Sequence, residues 1–227
     1  MAHQRPSGSR LLDVVATMDR LRSPGGCPWD AEQTHESLAP YLLEEAYEAF
    51  QAIEDGDLEA LREELGDVLL QIAFHSRLAE ELPAGQRWTI DDVAGGLVDK
   101  LVRRHPHVFA DVAVEDADHV NRNWEAIKAE ERGGKSVLAN VPMSAPALTL
   151  AATLQRKASR ADLPVGASAT LRDLAAQFDD EPTEELAGEL LWAAVGEMRA
   201  AGIDAEAALR ARSRQFRDGA VTDSPGS

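Results

Sequence analysis

Between Tyr41 and Gln71 the chain reads YLLEEAYEAFQAIEDGDLEALREELGDVLLQ, two helical runs broken at one acidic turn. Asp55, Gly56 and Asp57 leave no length for a loop, so the runs must fold back as an antiparallel hairpin. The turn sets the register. Glu48 and Glu64 stand about equally far from its centre, and so do Glu45 and Asp67. Residues three apart on a helix share a face. Glu45, Glu48, Glu64 and Asp67 are therefore expected to form a rectangle of carboxylates on the facing sides of the hairpin, with Glu44 beside it.

The setting of these acids gives them meaning. Leu42, Ala46, Ala49, Phe50 and Ile53 form an apolar stripe with Glu45 on its edge. Asp67 introduces VLLQIAF, apolar nearly all round and so expected to be buried. Two unpaired carboxylates about 4 Å apart repel by about 4 kcal/mol at an effective dielectric near 20. A single acidic pair at this spacing is commonplace on a solvated face. Two facing pairs in a half-buried place call for protonation or a metal. Hard divalent cations take such oxygen donors, and Mg²⁺ keeps water or substrate oxygens as well. A di-iron bundle would need Glu-x-x-His from facing helices. The chain's Glu32–His35 lies outside the hairpin and His75 lies well past Asp67, so magnesium fits and iron does not.

The rest of the chain is also helical in pattern. Ala, Leu and Glu dominate, and aromatic residues are only 5% of the 227, which disfavours strands. Helical periodicity covers Leu11–Leu21, Leu38–Ile53, Leu58–Leu82, Ile90–Arg104, Asn121–Arg132, Pro146–Ser159, Leu171–Phe178, Glu184–Ala201 and Asp204–Arg217. The expected fold class is all-α. A weak repeat divides it: VATMDRL (Val15–Leu21) is echoed by AATLQRK (Ala151–Lys157), and EELGDVLLQIAFHSRLAEEL (Glu63–Leu82) by ELAGELLWAAVGEMRAAG (Glu185–Gly202). The second copy keeps the apolar positions and loses most acids. Leu186 stands where Glu64 does, and Arg172 and Ala176 stand opposite Glu44 and Glu48, leaving Asp173 and Glu189 at most. The expected organisation is a site-bearing helical domain over 1–135, a degenerate helical repeat over 136–220 serving packing or dimerisation, and a disordered tail over 221–227.

Net charge is −17, from 23 Lys and Arg against 40 Asp and Glu, which argues against a nucleic-acid polymer as partner. One cysteine, Cys27, suits a reducing compartment, and no apolar run is long enough for a membrane span or signal, so a cytoplasmic protein without a membrane partner is expected.

Three further stretches extend the pattern: GGCPWDAEQTHESLAPYLLEEAYE (Gly25–Glu48), RRHPHVF (Arg103–Phe109) and NWEAIKAEER (Asn123–Arg132). With Glu44-Glu45-x-x-Glu48 and Glu64-x-x-Asp67, they resemble the MazG family within the all-α nucleoside triphosphate pyrophosphohydrolases. The resemblance runs over about residues 10 to 217 and is strongest up to Arg132. It implies tandem MazG-like helical bundles and Mg²⁺-dependent hydrolysis of nucleoside triphosphates to monophosphate and pyrophosphate, with Mn²⁺ as a substitute metal. It also implies broad base tolerance in nucleotide housecleaning, and a homodimer. By the same resemblance Glu45, Glu48, Glu64 and Asp67 hold the metal, and Glu44 positions or deprotonates the attacking water. Lys100 and Arg104 meet the phosphates, and Trp124 and Lys128 complete the pocket.

Other residues read as structural. His105 and His107 flank Pro106 where a helix should break, Cys27 and Trp29 fix a loop, and Asp30 is expected to cap the following helix. Two alternatives remain open from sequence: a catalytically silent acidic bundle that binds a protein partner, and a relative specialised for dUTP, dCTP or phosphoribosyl-ATP.

Overall fold

The computed structural model describes residues 8–110 and 112–222, and every regular element among them is an α-helix. A first compact unit, Met1–Glu115, holds α1 (Ser9–Arg22), α2 (Pro28–Glu32), α3 (His35–Asp55), α4 (Leu58–Ala79), α5 (Ile90–Arg104) and α6 (Pro106–Phe109). A second, Asp116–Ser227, holds α7 (Ala117–Arg132), α8 (Ala147–Ser159), α9 (Leu171–Asp180), α10 (Glu184–Ala200) and α11 (Ala205–Thr222). The division falls ahead of α7, so the NWEAIKAEER segment sits in the second unit rather than with the first 135 residues. Helix α11 takes in Val221 and Thr222, where the tail was expected to begin, and 223–227 lie outside the described residues. Among the described residues no helix is long and apolar enough to cross a membrane.

In the first unit α3 and α4 pack along each other, α1 crosses α4, and α5 also packs on α4. The core gathers Met18 of α1, Leu38 of α3, and Ala73, Phe74 and Leu78 of α4, with Val14 against them. Each large apolar side chain buried there stabilises the unit by about 1.5–3 kcal/mol. Charge ties α1 to the end of α4. Arg22 grips both oxygens of Glu81 at 2.9 Å, and Arg77 reaches Glu81 at 2.9 Å and Asp19 at 2.8 Å.

The CPWD loop turns on a close approach. A Cβ at Gly26 would strike the carbonyl oxygens of Leu21 and Arg20, so only glycine fits where the chain passes the end of α1. Cys27 N–H then donates to the Leu21 carbonyl at 2.7 Å, and Pro28 opens α2. Trp29 lies edge-on to Tyr41 and Phe74. The expected cap is corrected here: Asp30 is buried inside α2, its carbonyl accepting from Arg22, and the cap of α3 is Thr34. Thr34 and Ser37 form a reciprocal capping box, which starts α3 at His35 and carries it through Pro40.

Burial departs from the sequence pattern. Phe50 and Ile53 of the α3 stripe are 41% and 59% exposed, and within VLLQIAF Leu70 and Ile72 remain about two-fifths exposed. Leu97, Val98 and Leu101 of α5 are likewise about half exposed. Of the expected stripe Ala49 is buried, while Phe50 and Ile53 lie outside the core.

In the second unit α10 packs on α8, α9 and α11. Gln155 of α8 is 1% exposed and donates to the Trp192 carbonyl at 2.9 Å. Trp192 in turn donates to the Val165 carbonyl at 3.2 Å, while Leu174, Ala193 and Val195 fill the interior.

Candidate metal centre

The turn between α3 and α4 is built by three consecutive residues. Asp55 ends α3, and Gly56 takes the left-handed conformation at φ 69°, letting Asp57 N–H return to the Ala52 carbonyl at 3.0 Å. Asp57 then caps α4, accepting from Glu59 and Ala60 N–H at 3.0 Å each. With both ends so fastened, the helices leave the turn in one register.

That register brings Glu45, Glu48 and Glu64 together: one oxygen from each lies within 4.8 Å of the others. Asp67 falls outside this trio of oxygens but acts on it electrostatically. Partial burial, then the negative fields of Asp67, Glu48, Glu44 and Glu64, push the Glu45 carboxyl above its usual range. Glu64 is pushed up as well, by partial desolvation, then Glu48, Asp67 and Glu63, and by its hydrogen bond with Glu48. No positive charge figures among the influences on either group. Acids crowded in this way repel one another once ionised, which is why Glu45 and Glu64 hold their protons more tightly.

The remaining expected residues are distributed around the two units. Glu44 borders an open groove on α3 with Leu43, Tyr47 and Glu48. Lys100 and Arg104 stand one turn apart on α5, both half-buried. Trp124 and Lys128 stand one turn apart on α7 in the second unit, where the Lys128 ammonium donates to Glu125 at 3.1 Å.

An all-oxygen donor set, mutually close, suits a hard divalent ion such as Mg²⁺. Two features escaped the sequence reading. His35 and His75 stack in parallel, rings 5.1 Å apart, with their Nδ1 atoms 2.8 Å from each other. The hairpin register that pairs the acids also pairs these histidines, so that signal was available. The other is a cationic cavity bordered by α7 and α8, whose residues come from segments with no local sequence link.

Known proteins share this sequence over most of its length. The MazG nucleotide pyrophosphohydrolase domain matches residues 33–109, which contain the whole hairpin. A nucleoside triphosphate pyrophosphohydrolase/pyrophosphatase MazG of Thermotoga maritima is 40% identical over 93% of this chain and 81% of its own. A nucleoside triphosphate pyrophosphohydrolase of Escherichia coli K12 is 39% identical over 91% of this chain and 83% of its own. An uncharacterized 26.1 kDa protein of Streptomyces cacaoi is 47% identical over 93% of this chain and 81% of its own. With identities of this size spanning both units, the chain belongs to the MazG nucleotide pyrophosphohydrolase family.

Proposed function

We propose that the protein hydrolyses ribo- and deoxyribonucleoside triphosphates to the monophosphate and pyrophosphate, using Mg²⁺ held by Glu45, Glu48, Glu64 and Asp67. Mn²⁺ would substitute. The observation that carries this reading is the gathering of three carboxylates within 4.8 Å on the family's hairpin. Like relatives named for this activity, the chain would cleave the bond between the α and β phosphates. Bound Mg²⁺ supplies the positive charge that acidifies an attacking water and offsets phosphate charge. Glu44 would position or deprotonate the attacking water. Lys100 and Arg104 would meet the phosphates, and Trp124 and Lys128 would complete the substrate pocket. Broad base tolerance and a housecleaning role in the nucleotide pool complete the reading, in the cytoplasm.

Two structural features support a homodimer with one working site per chain. Large apolar side chains on α3, α4 and α5, among them Phe50, Ile53, Leu70, Leu97 and Val98, are about 40–60% exposed, as residues awaiting a partner would be. In the second unit α8, α9 and α10 repeat the packing of α1, α3 and α4, as a degenerate tandem copy would. Sedimentation of the purified chain tests the first point, and a monomer at micromolar concentration would refute it.

The reaction is tested by incubating the protein with eight common ribo- and deoxyribonucleoside triphosphates, with and without Mg²⁺, and identifying the products. Monophosphate with pyrophosphate, formed only with metal, is expected. Diphosphate with orthophosphate would overturn the reading.

A further inference from the structure

Within the second unit, α7 and α8 border a cavity of about 1000 Å³, at the upper end of small-molecule sites. Its walls carry Arg122, Lys128 and Arg132 from α7, and Arg156, Lys157 and Arg160 from α8 and its end. In a chain of net charge −17, such a convergence of cations needs a cause. Like charges brought together repel, and only Glu125 offsets them from within the lining.

Glu125 is already committed. It accepts from Lys128 at 3.1 Å and from Arg160 at 3.3 Å. Burial would raise its pKa, but the Lys128 hydrogen bond and the positive fields of Lys128, Arg160 and Arg132 outweigh that and hold it low. Among the described residues, Arg122, Arg132, Arg156 and Lys157 have no carboxylate within 4.0 Å. Of the cavity's six cations, only Lys128 and Arg160 are ion-paired among the described residues, both to Glu125.

We propose that this cavity binds an oligophosphate anion, taking its phosphate chain through the α7 and α8 cations without a divalent metal. Guanidinium groups suit this ligand because each presents paired donors to phosphate oxygens. The lining side chains include no aromatic ring, so a base would find no stacking platform and the phosphate chain is the group recognised. A half-open cavity on a strongly acidic protein suits a small anion better than a nucleic-acid polymer, which the remaining surface repels. The cavity does not depend on the carboxylate hairpin being catalytic. Lys128 is the one residue common to the two proposals, and the test leaves it intact.

The test is calorimetric titration of the full chain with inorganic tripolyphosphate in excess EDTA. Saturable binding is expected, weakening as salt rises. Arg156→Gln combined with Arg160→Gln should cost at least about tenfold in affinity, since each removes a charge-assisted donor. Glu45→Gln should leave it unchanged. If the double variant melts early, Arg122→Gln with Arg132→Gln carries the same expectation. ATP should bind within a few-fold of tripolyphosphate, and a much tighter ATP would overturn the phosphate chain as the recognised group. No binding to the native chain, binding indifferent to both arginine pairs, or displacement by lower concentrations of a single-stranded oligonucleotide would each overturn the site. Failure of the hydrolysis reading would leave these titrations untouched, so the two proposals fail separately.

Discussion

Glu189 on α10 accepts from the backbone N–H and the hydroxyl of Ser168, at 3.2 and 2.9 Å. Asp173, on the partner helix α9, accepts from the Thr170 hydroxyl at 2.7 Å as part of that helix's cap. In the α3–α4 hairpin the corresponding acids have one another: Glu64 has Glu48 as its hydrogen-bond neighbour, and Glu45 feels Asp67 and Glu48. One helical pairing therefore uses its acids in two ways. Acids given donors by the fold are structural. Acids facing acids are a standing cost to the metal-free fold, and a cation is what would relieve it.

The largest expected effect separates the hairpins by activity. Glu45→Ala or Asp67→Ala should lower triphosphate turnover by a hundredfold or more, since even the loss of an outer partner of a metal ligand costs about 10- to 100-fold. Full turnover in either variant at saturating Mg²⁺ would break the contrast, because the first hairpin would then have no more chemistry than the second.

Stability should show the same contrast as a function of pH. Glu45 and Glu64 hold protons more tightly when folded, so the stability their protonation contributes is fully present below the unfolded value near 4.5 and lost as pH rises through their raised folded values. Glu81 has the opposite sign. Held low by the Arg22 hydrogen bond against a smaller effect of burial, it contributes stability above 4.5 that is lost as pH falls through its lowered value. In EDTA, Glu45→Gln with Glu64→Gln should flatten the decline on the alkaline side of that window, and Glu81→Gln the decline on the acid side. Mg²⁺ at about a hundred times its dissociation constant should stabilise the native chain by about 2.7 kcal/mol and leave the double variant unmoved. Thermal melts across pH read both effects.

Compensated charge can itself be graded. Arg22 is almost fully enclosed, bonds both Glu81 oxygens and also holds the Asp30 carbonyl, so Arg22→Ala should cost about 2 kcal/mol in urea unfolding. Arg10 pairs with Asp13 at 2.7 Å but is 82% exposed, and Arg10→Ala should cost less than about 0.5 kcal/mol. Equal losses would mean that burial is not what separates the two pairs.

Much of this was legible beforehand, for reasons that differ by residue. The nine long helices among the described residues follow from apolar periodicity, and the Glu45, Glu48 and Glu64 grouping follows from a turn too short to allow another register. Helices α2 and α6, at five and four residues, are shorter than two turns and carry no period to read. Asp30 looked like a cap because Asp often is one, yet Arg22 draws it inward and the Thr34–Ser37 box lacks the usual Glu or Gln. Phe50 and Ile53 looked like core because pattern reports a face, not what covers it. The α7–α8 cations stayed hidden because only the folded second unit brings them to one cavity.

The smallest predicted effect is the sharpest control on the comparison. Glu189→Ala removes an acceptor from Ser168 at a half-buried position, and Asp173→Ala removes part of the α9 cap at an exposed one. Each should cost about 0.5–1 kcal/mol in urea unfolding and change turnover by less than about twofold. A silent acid is expected to act through the fold alone, so its small stability cost should be the same with and without Mg²⁺. A metal-dependent cost at Glu189 would mean that the second hairpin still answers to a cation, and that losing acids at Leu186 and Ala176 did not end its part in the site.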